Sequence, residues 1–153
     1  MSQLCLSIDS DLANMSIVAV AVNRICQYAG FDNIGAYQVE LCVTEAMTNA
    51  ILHAYHGERG HTVLVRIEVD SDRMLLEIRD NGTPMPSDQV ERLIAGSKQP
   101  DPDDADPASI KEGGRGLQIM HDLMDEVGYF REDAANRLLL MKRIRVATSD
   151  RDD

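Results

Sequence analysis

The chain has 153 residues, 44% apolar and 27% charged, the composition of an ordinary globular protein long enough to bury a core without disulfides. Its formal net charge of −11 argues against a broad surface for nucleic acid or for an anionic membrane. No stretch approaches the roughly 20 apolar residues that span a bilayer, and the amino terminus lacks the basic region and apolar run of a secretory signal.

The three cysteines, Cys5, Cys26 and Cys42, form no C-x-x-C pair and read as small buried apolar residues in a reducing compartment. A cytoplasmic protein is expected. With two Phe, no Trp and eight Met, the core should be aliphatic and adaptable.

At the start of the chain, Leu4, Leu6 and Ile8 alternate with Cys5 and Ser7, which predicts a short strand. Ser10 or Asp11 then caps a helix running to about Ala29, with Gly30 as its stop. A second helix follows from about Ile34 to Tyr55, ending near Gly57, with Val39, Val43, Ala46 and Ala50 on one apolar stripe. Val63, Val65, Ile67 and Val69 alternate with Leu64, Arg66 and Glu68, the pattern of a strand with one buried side. After the polar turn Asp70-Ser71-Asp72, Met74, Leu76 and Ile78 repeat the pattern, so the two strands should pair as a hairpin. The second runs into Asp80-Asn81-Gly82-Thr83-Pro84, where Gly and Pro break it.

Ser87 to Ala95 reads as a short capped helix. Residues 96–112 are acidic, Pro-rich and without periodicity, the character of a lid, a binding loop or a disordered segment. Gly113-Gly114-Arg115-Gly116 then opens a third long helix with Leu117, Met120, Leu123, Met124 and Val127 on its buried face. Strands at about 127–131 and 137–145 close the chain as a hairpin around Ala134-Ala135-Asn136, and 149–153 is a frayed tail. Strands and helices segregate rather than alternate. The expected fold is therefore α+β: a two-layer sandwich with a mixed, mostly antiparallel sheet and helices on one face, one domain over 1–148.

Three stretches carry chemistry. Glu45 and Asn49 are four apart, so they stack on one helix face, one turn from each other. Asn is a poor helix-interior residue because its amide competes for backbone hydrogen bonds, and its place there asks for a reason. An amide oxygen suits magnesium where phosphates supply most of the charge, and a carboxylate one turn away can hold a water or hydroxyl for attack on phosphate. Taken alone, the pair also fits a solvated helix face. Asp80 at a strand end can accept from an exocyclic amine such as adenine's, while Gly82 lets a flat ring approach the backbone; an ordinary Asp-Asn-Gly turn is the plainer alternative. Gly113-Gly114-Arg115-Gly116 at a helix start exposes N–H groups and partial positive charge to phosphate, and Arg115 either adds a donor or is solvated.

Together, in this order and spacing, they resemble the GHKL (histidine-kinase-like) ATPase superfamily, and more closely the anti-sigma-factor serine/threonine-protein kinases of bacterial partner-switching systems. Glu45-Ala-Met-Thr-Asn49-Ala-Ile-Leu-His53-Ala-Tyr55 is similar to that family's N-box, Asp80-Asn-Gly82-Thr-Pro84 to its first glycine box, and Gly114-Arg-Gly116-Leu117 to its second. The resemblance implies a Bergerat-type ATP-binding fold, ATP with magnesium held under a lid at about 83–112, and a homodimer. It makes Glu45 the catalytic base and Asn49 the magnesium ligand. Asp80 would contact adenine, Gly82 would shape its pocket, and Gly114, Arg115, Gly116 and Leu117 would form the phosphate side. The implied acceptor is a serine on a STAS-domain anti-anti-sigma protein, and the implied second partner a sigma factor or other regulator.

One position departs from the wider superfamily: Pro84 stands where many members have a second glycine. His53 and His56, three apart with no third ligand, are not expected to bind metal, and no phosphoacceptor-histidine helix is visible. Two other functions remain open at this point. One is a nucleotide-gated protein that sequesters a regulator without phosphoryl transfer. The other is an ATPase whose lid drives dimer opening, for which 153 residues leave no transducer domain.

Overall fold

A computed structural model describes residues 1–96 and 114–145. The predicted lid segment beyond Gly96 and the predicted tail lie outside the described residues. Strand β1 (Ser2–Asp9) is followed by helices α1 (Asn14–Ala29) and α2 (Asn33–Thr48), the latter continuing into a π-helical turn over Asn49–Ala54. Strands β2 (Thr62–Val69) and β3 (Arg73–Asp80) come next, then α3 (Ser87–Ala95), α4 (Gly114–Leu123), β4 (Glu126–Glu132) and β5 (Ala135–Arg143).

The strands form a five-stranded sheet in the order β1-β2-β3-β5-β4, and each of these pairings is antiparallel. The predicted α+β fold is the observed one. Period-two alternation sends Val63, Val65, Ile67, Met74, Leu76 and Ile78 to one face, where α1 offers Val18, Val22 and Cys26, α2 offers Val39, Val43 and Ala46, and α4 offers Leu117 and Met120. Burying each large aliphatic side chain in this layer contributes roughly 1.5–3 kcal/mol. The opposite sheet face is mixed, with Leu64, Leu75, Leu139 and Met141 set among charged side chains. There Glu77 is held between Arg66 and Arg137, with Arg137 Nε donating to its Oε1 at 2.8 Å and Nη2 to its Oε2 at 3.2 Å. Arg66 pairs with Glu68 as well, and Arg137 with Glu132 at 3.3 Å, so a chain of alternating charge crosses the sheet.

Several boundaries differ from expectation, each for a local reason. Neither Ser10 nor Asp11 caps α1. The Ser10 hydroxyl donates to the Glu58 carbonyl at 2.6 Å and accepts from His61 N–H, while Asp11 accepts from Ala13 N–H in a turn ahead of the helix. Gly30 does close α1, in the left-handed region at φ 108°. α2 is capped by Asp32, which accepts from Gly35 N–H at 2.7 Å. The helix expected to run unbroken to Tyr55 is α-helical only to Thr48. α4 stops at Leu123, shorter than predicted, and Val127 belongs to β4. The last hairpin turns on Asp133 and Ala134, both with positive φ (48° and 63°), so that Ala135 and Asn136 are strand residues. No helix among the described residues is long and apolar enough to cross a membrane.

Candidate functional site

α2 brings Glu45 and Asn49 to the same edge of the helical layer, both half-buried. The buried positions Val39, Cys42, Val43, Ala46 and Met47 fix the rotation of the helix against the sheet, and that rotation sets where the two polar side chains emerge. The Asn49 amide makes no hydrogen bond among the described residues, and its Nδ2 is buried. A buried polar atom left unpaired in this way calls for a partner that the described residues do not supply.

Beyond Asn49 the helix widens. Tyr55 N–H reaches back five residues to the Ala50 carbonyl at 3.0 Å, the π-helical pattern found often at functional sites. The Ala54 carbonyl is thereby turned out to accept Thr83 N–H at 2.9 Å, which ties the helix end to the turn after β3. Gly82 sits so close to this contact that a Cβ would lie 2.6 Å from the Ala54 carbonyl carbon. Tyr55 makes the second tie: its hydroxyl donates to the Thr62 carbonyl at 2.7 Å and accepts from Asn81 N–H at 2.8 Å. Pro84 falls in a braced loop. His56, itself at positive φ (55°), places Nε2 3.0 Å from the Thr83 hydroxyl, and Met85 N–H donates to the Tyr129 hydroxyl at 2.7 Å. Proline's fixed φ suits such a wall as well as a glycine would suit a mobile one.

Asp80 ends β3 and is only 8% exposed. Its Oδ1 accepts from Gly82 N–H at 2.9 Å and from Asn136 Nδ2 at 2.8 Å. Burial pushes its carboxyl above the ordinary carboxylate range, and these two donors work against that rise. Its Oδ2 has no hydrogen-bond partner among the described residues and is the free acceptor of the group.

Asn49 and Asp80 line one cavity of about 290 Å³, between the widened helix end and the braced loop. Ala46, Ala50, Ile78, Met85 and Leu138 give it apolar walls, and Tyr129, Gln89 and His53 stand around it. Three larger hollows, about 350, 410 and 700 Å³, lie around the C-terminal ends of α4 and β5 and contain none of the motif residues. An apolar-walled slot lined by a carboxylate and an unpaired amide fits a flat ring bearing an amine and a polar extension.

The start of α4 meets α2 at Glu45. A Cβ on the buried Gly116 would run into Glu45 Oε2, so the carboxylate lies directly against this backbone. Of the other residues predicted there, Arg115 is exposed, the Leu117 side chain is in the core, and Gly114 supplies the first helical residue. Neither Arg115 nor Leu117 lines the cavity. The structure thus joins Glu45 with Gly116, and Asn49 with Asp80. Sequence reasoning missed Asn136, Tyr55, Tyr129 and His56. Local composition places Asn136 in a turn, although Asn136, Leu138 and Leu140 recur at the period-two spacing of an inward strand face.

The profile of the histidine kinase-like ATPase domain matches residues 8–142. The serine-protein kinase RsbW of Bacillus velezensis is 32% identical over 117 residues, covering 74% of this chain and 68% of that protein. RsbW of Bacillus subtilis is 30% identical over the same length and shares. RsbW of Listeria innocua is 25% identical over 122 residues, 80% of this chain and 75% of that protein.

Proposed function

The chain belongs to the histidine kinase-like ATPase domain family, and from that premise we propose that it is an ATP-dependent protein-serine kinase of the anti-sigma type. Its acceptor is a serine on a STAS-domain anti-anti-sigma protein, and it holds a sigma factor or another regulator in the alternative complex. The observation that carries the reading is the pairing of an unsatisfied Asn49 amide at the cavity with Glu45 one turn away, against the backbone of Gly116.

The residues fit a magnesium nucleotide. Asp80 Oδ2 would accept from the exocyclic amine of adenine, the apolar walls would cover the ring, and Asn49 would hold the metal through its amide oxygen. Magnesium, when bound, offsets charge on the phosphates. The N–H groups at the start of α4 face phosphate with the positive end of the helix. Glu45 takes the proton of the serine hydroxyl as that oxygen attacks the terminal phosphorus, the bond to the bridging oxygen breaks and ADP leaves; its place against Gly116 supplies orientation rather than covalent chemistry.

The test is transfer from radiolabelled ATP to a STAS-domain protein, with binding followed separately by titration. Glu45→Ala is expected to lower transfer by about 10²-fold or more while ATP affinity stays within about threefold. Transfer at the normal rate in that variant removes Glu45 as the base. ATP binding without transfer to any STAS protein would instead support a nucleotide-gated sequestering protein.

A further inference from the structure

We propose that Asn136 is a positioning residue that sets which base the pocket reads. The inference rests on the nucleotide reading above and adds a residue which no motif contains. Asn136 stands directly opposite Asp80 in the β3–β5 ladder and is 1% exposed. Its single NH₂ group does two things: it donates to Asp80 Oδ1 at 2.8 Å and to the Gly82 carbonyl at 3.0 Å. One side chain thus joins the carboxylate that faces the cavity to the glycine turn beside it.

The orientation of this amide is not free. Both neighbouring atoms are acceptors, so a half-turn would set the amide oxygen against two oxygens. In the observed sense the Asn136 oxygen is buried without a partner among the described residues. A buried acceptor left unpaired needs a reason, and here the reason is the pair of bonds made by the nitrogen. Those bonds act on Asp80 in two ways. With Gly82 N–H, they occupy Oδ1 fully and leave Oδ2 as the one acceptor for the ligand. They also oppose the upward push of burial on this carboxyl, and so favour the ionised form that accepts. Asn136 therefore keeps the site an acceptor for an amine, with the acceptor oxygen held at a fixed angle.

The experiment compares ATP with purine riboside triphosphate, which lacks the exocyclic amine, by calorimetric titration of wild type, Asn136→Leu and Asn136→Ser. Wild type is expected to prefer ATP by about tenfold or more. Asn136→Leu, close in size but without donors, should bring that ratio near one while leaving affinity for the amine-free analogue within about threefold of wild type. Asn136→Ser, with one donor, should fall between the two; if the Leu variant fails to fold, this one carries the test. Equal losses for both nucleotides, with the ratio unchanged, would show a merely structural role and overturn the inference. A wild type that binds ATP but does not discriminate overturns it too, with the nucleotide site intact. A wild type that binds neither nucleotide removes the parent reading and this one with it.

Discussion

Gly116 is the residue where packing and chemistry are hardest to separate. Glycine inside a helix costs about 0.5–1 kcal/mol relative to alanine, so Gly116→Ala would ordinarily be neutral or stabilising. Here the added methyl lands on Glu45 Oε2, and the flexible carboxylate gives way more readily than the backbone. The expected outcome is a thermal midpoint equal to or above that of wild type, with phosphoryl transfer reduced by about 10- to 100-fold and ATP affinity little changed. Unfolding curves together with single-turnover transfer check it. A variant that transfers at full rate would mean that the position of Glu45 is unimportant.

Elements show why some of the site was legible in the sequence and some was not. The apolar stripe through Val39, Val43 and Ala46 identifies α2 because period 3.6 is repeated over several turns. The π-helical turn over Asn49–Ala54 leaves no such trace, since six residues are too few to separate one hydrogen-bond spacing from another. Asn136 was hidden for a different reason: asparagine beside two alanines reads as turn chemistry, while its role depends on a strand far away in the chain. The bridged strands also carry a pH signature. Arg137's hydrogen bonds, and the charges of Arg137 and Arg66, hold the Glu77 carboxyl below its ordinary range, against burial. Its stabilising contribution is thus complete above the unfolded value of about 4.3 and is lost as pH falls through the lower folded value. Asp80 has the opposite sign, because burial raises it and its cost is relieved on acidification. Urea unfolding of wild type and Glu77→Gln should therefore differ most near neutral pH and converge as pH falls below the ordinary carboxylate range. A difference that stays constant across that range would show that the Glu77 charge adds nothing.

On the scale of the whole molecule, strand order decides where the site can exist. Segregated strands and helices, and the alternation in β2 and β3, were enough to expect one sheet with helices on one side. They do not say that β5 enters between β3 and β4, because pairing between distant strands leaves no local pattern. That insertion has a consequence in time. Asp80 and Asn136 are 56 residues apart, and the ribosome delivers them in that order. While β5 is still in the exit tunnel, β3 has an open edge and the Asp80 carboxylate lacks its cross-strand donor. If the proposed function holds, nucleotide capture is then a late event in biosynthesis, and the acidic stretch 96–112 is translated before the pocket is finished. Stalled nascent chains offer a direct check: those with β5 still inside the tunnel should not retain a fluorescent ATP analogue, and those with β5 fully emerged should. Equal retention at both lengths would show that a nucleotide pocket forms without the last strand.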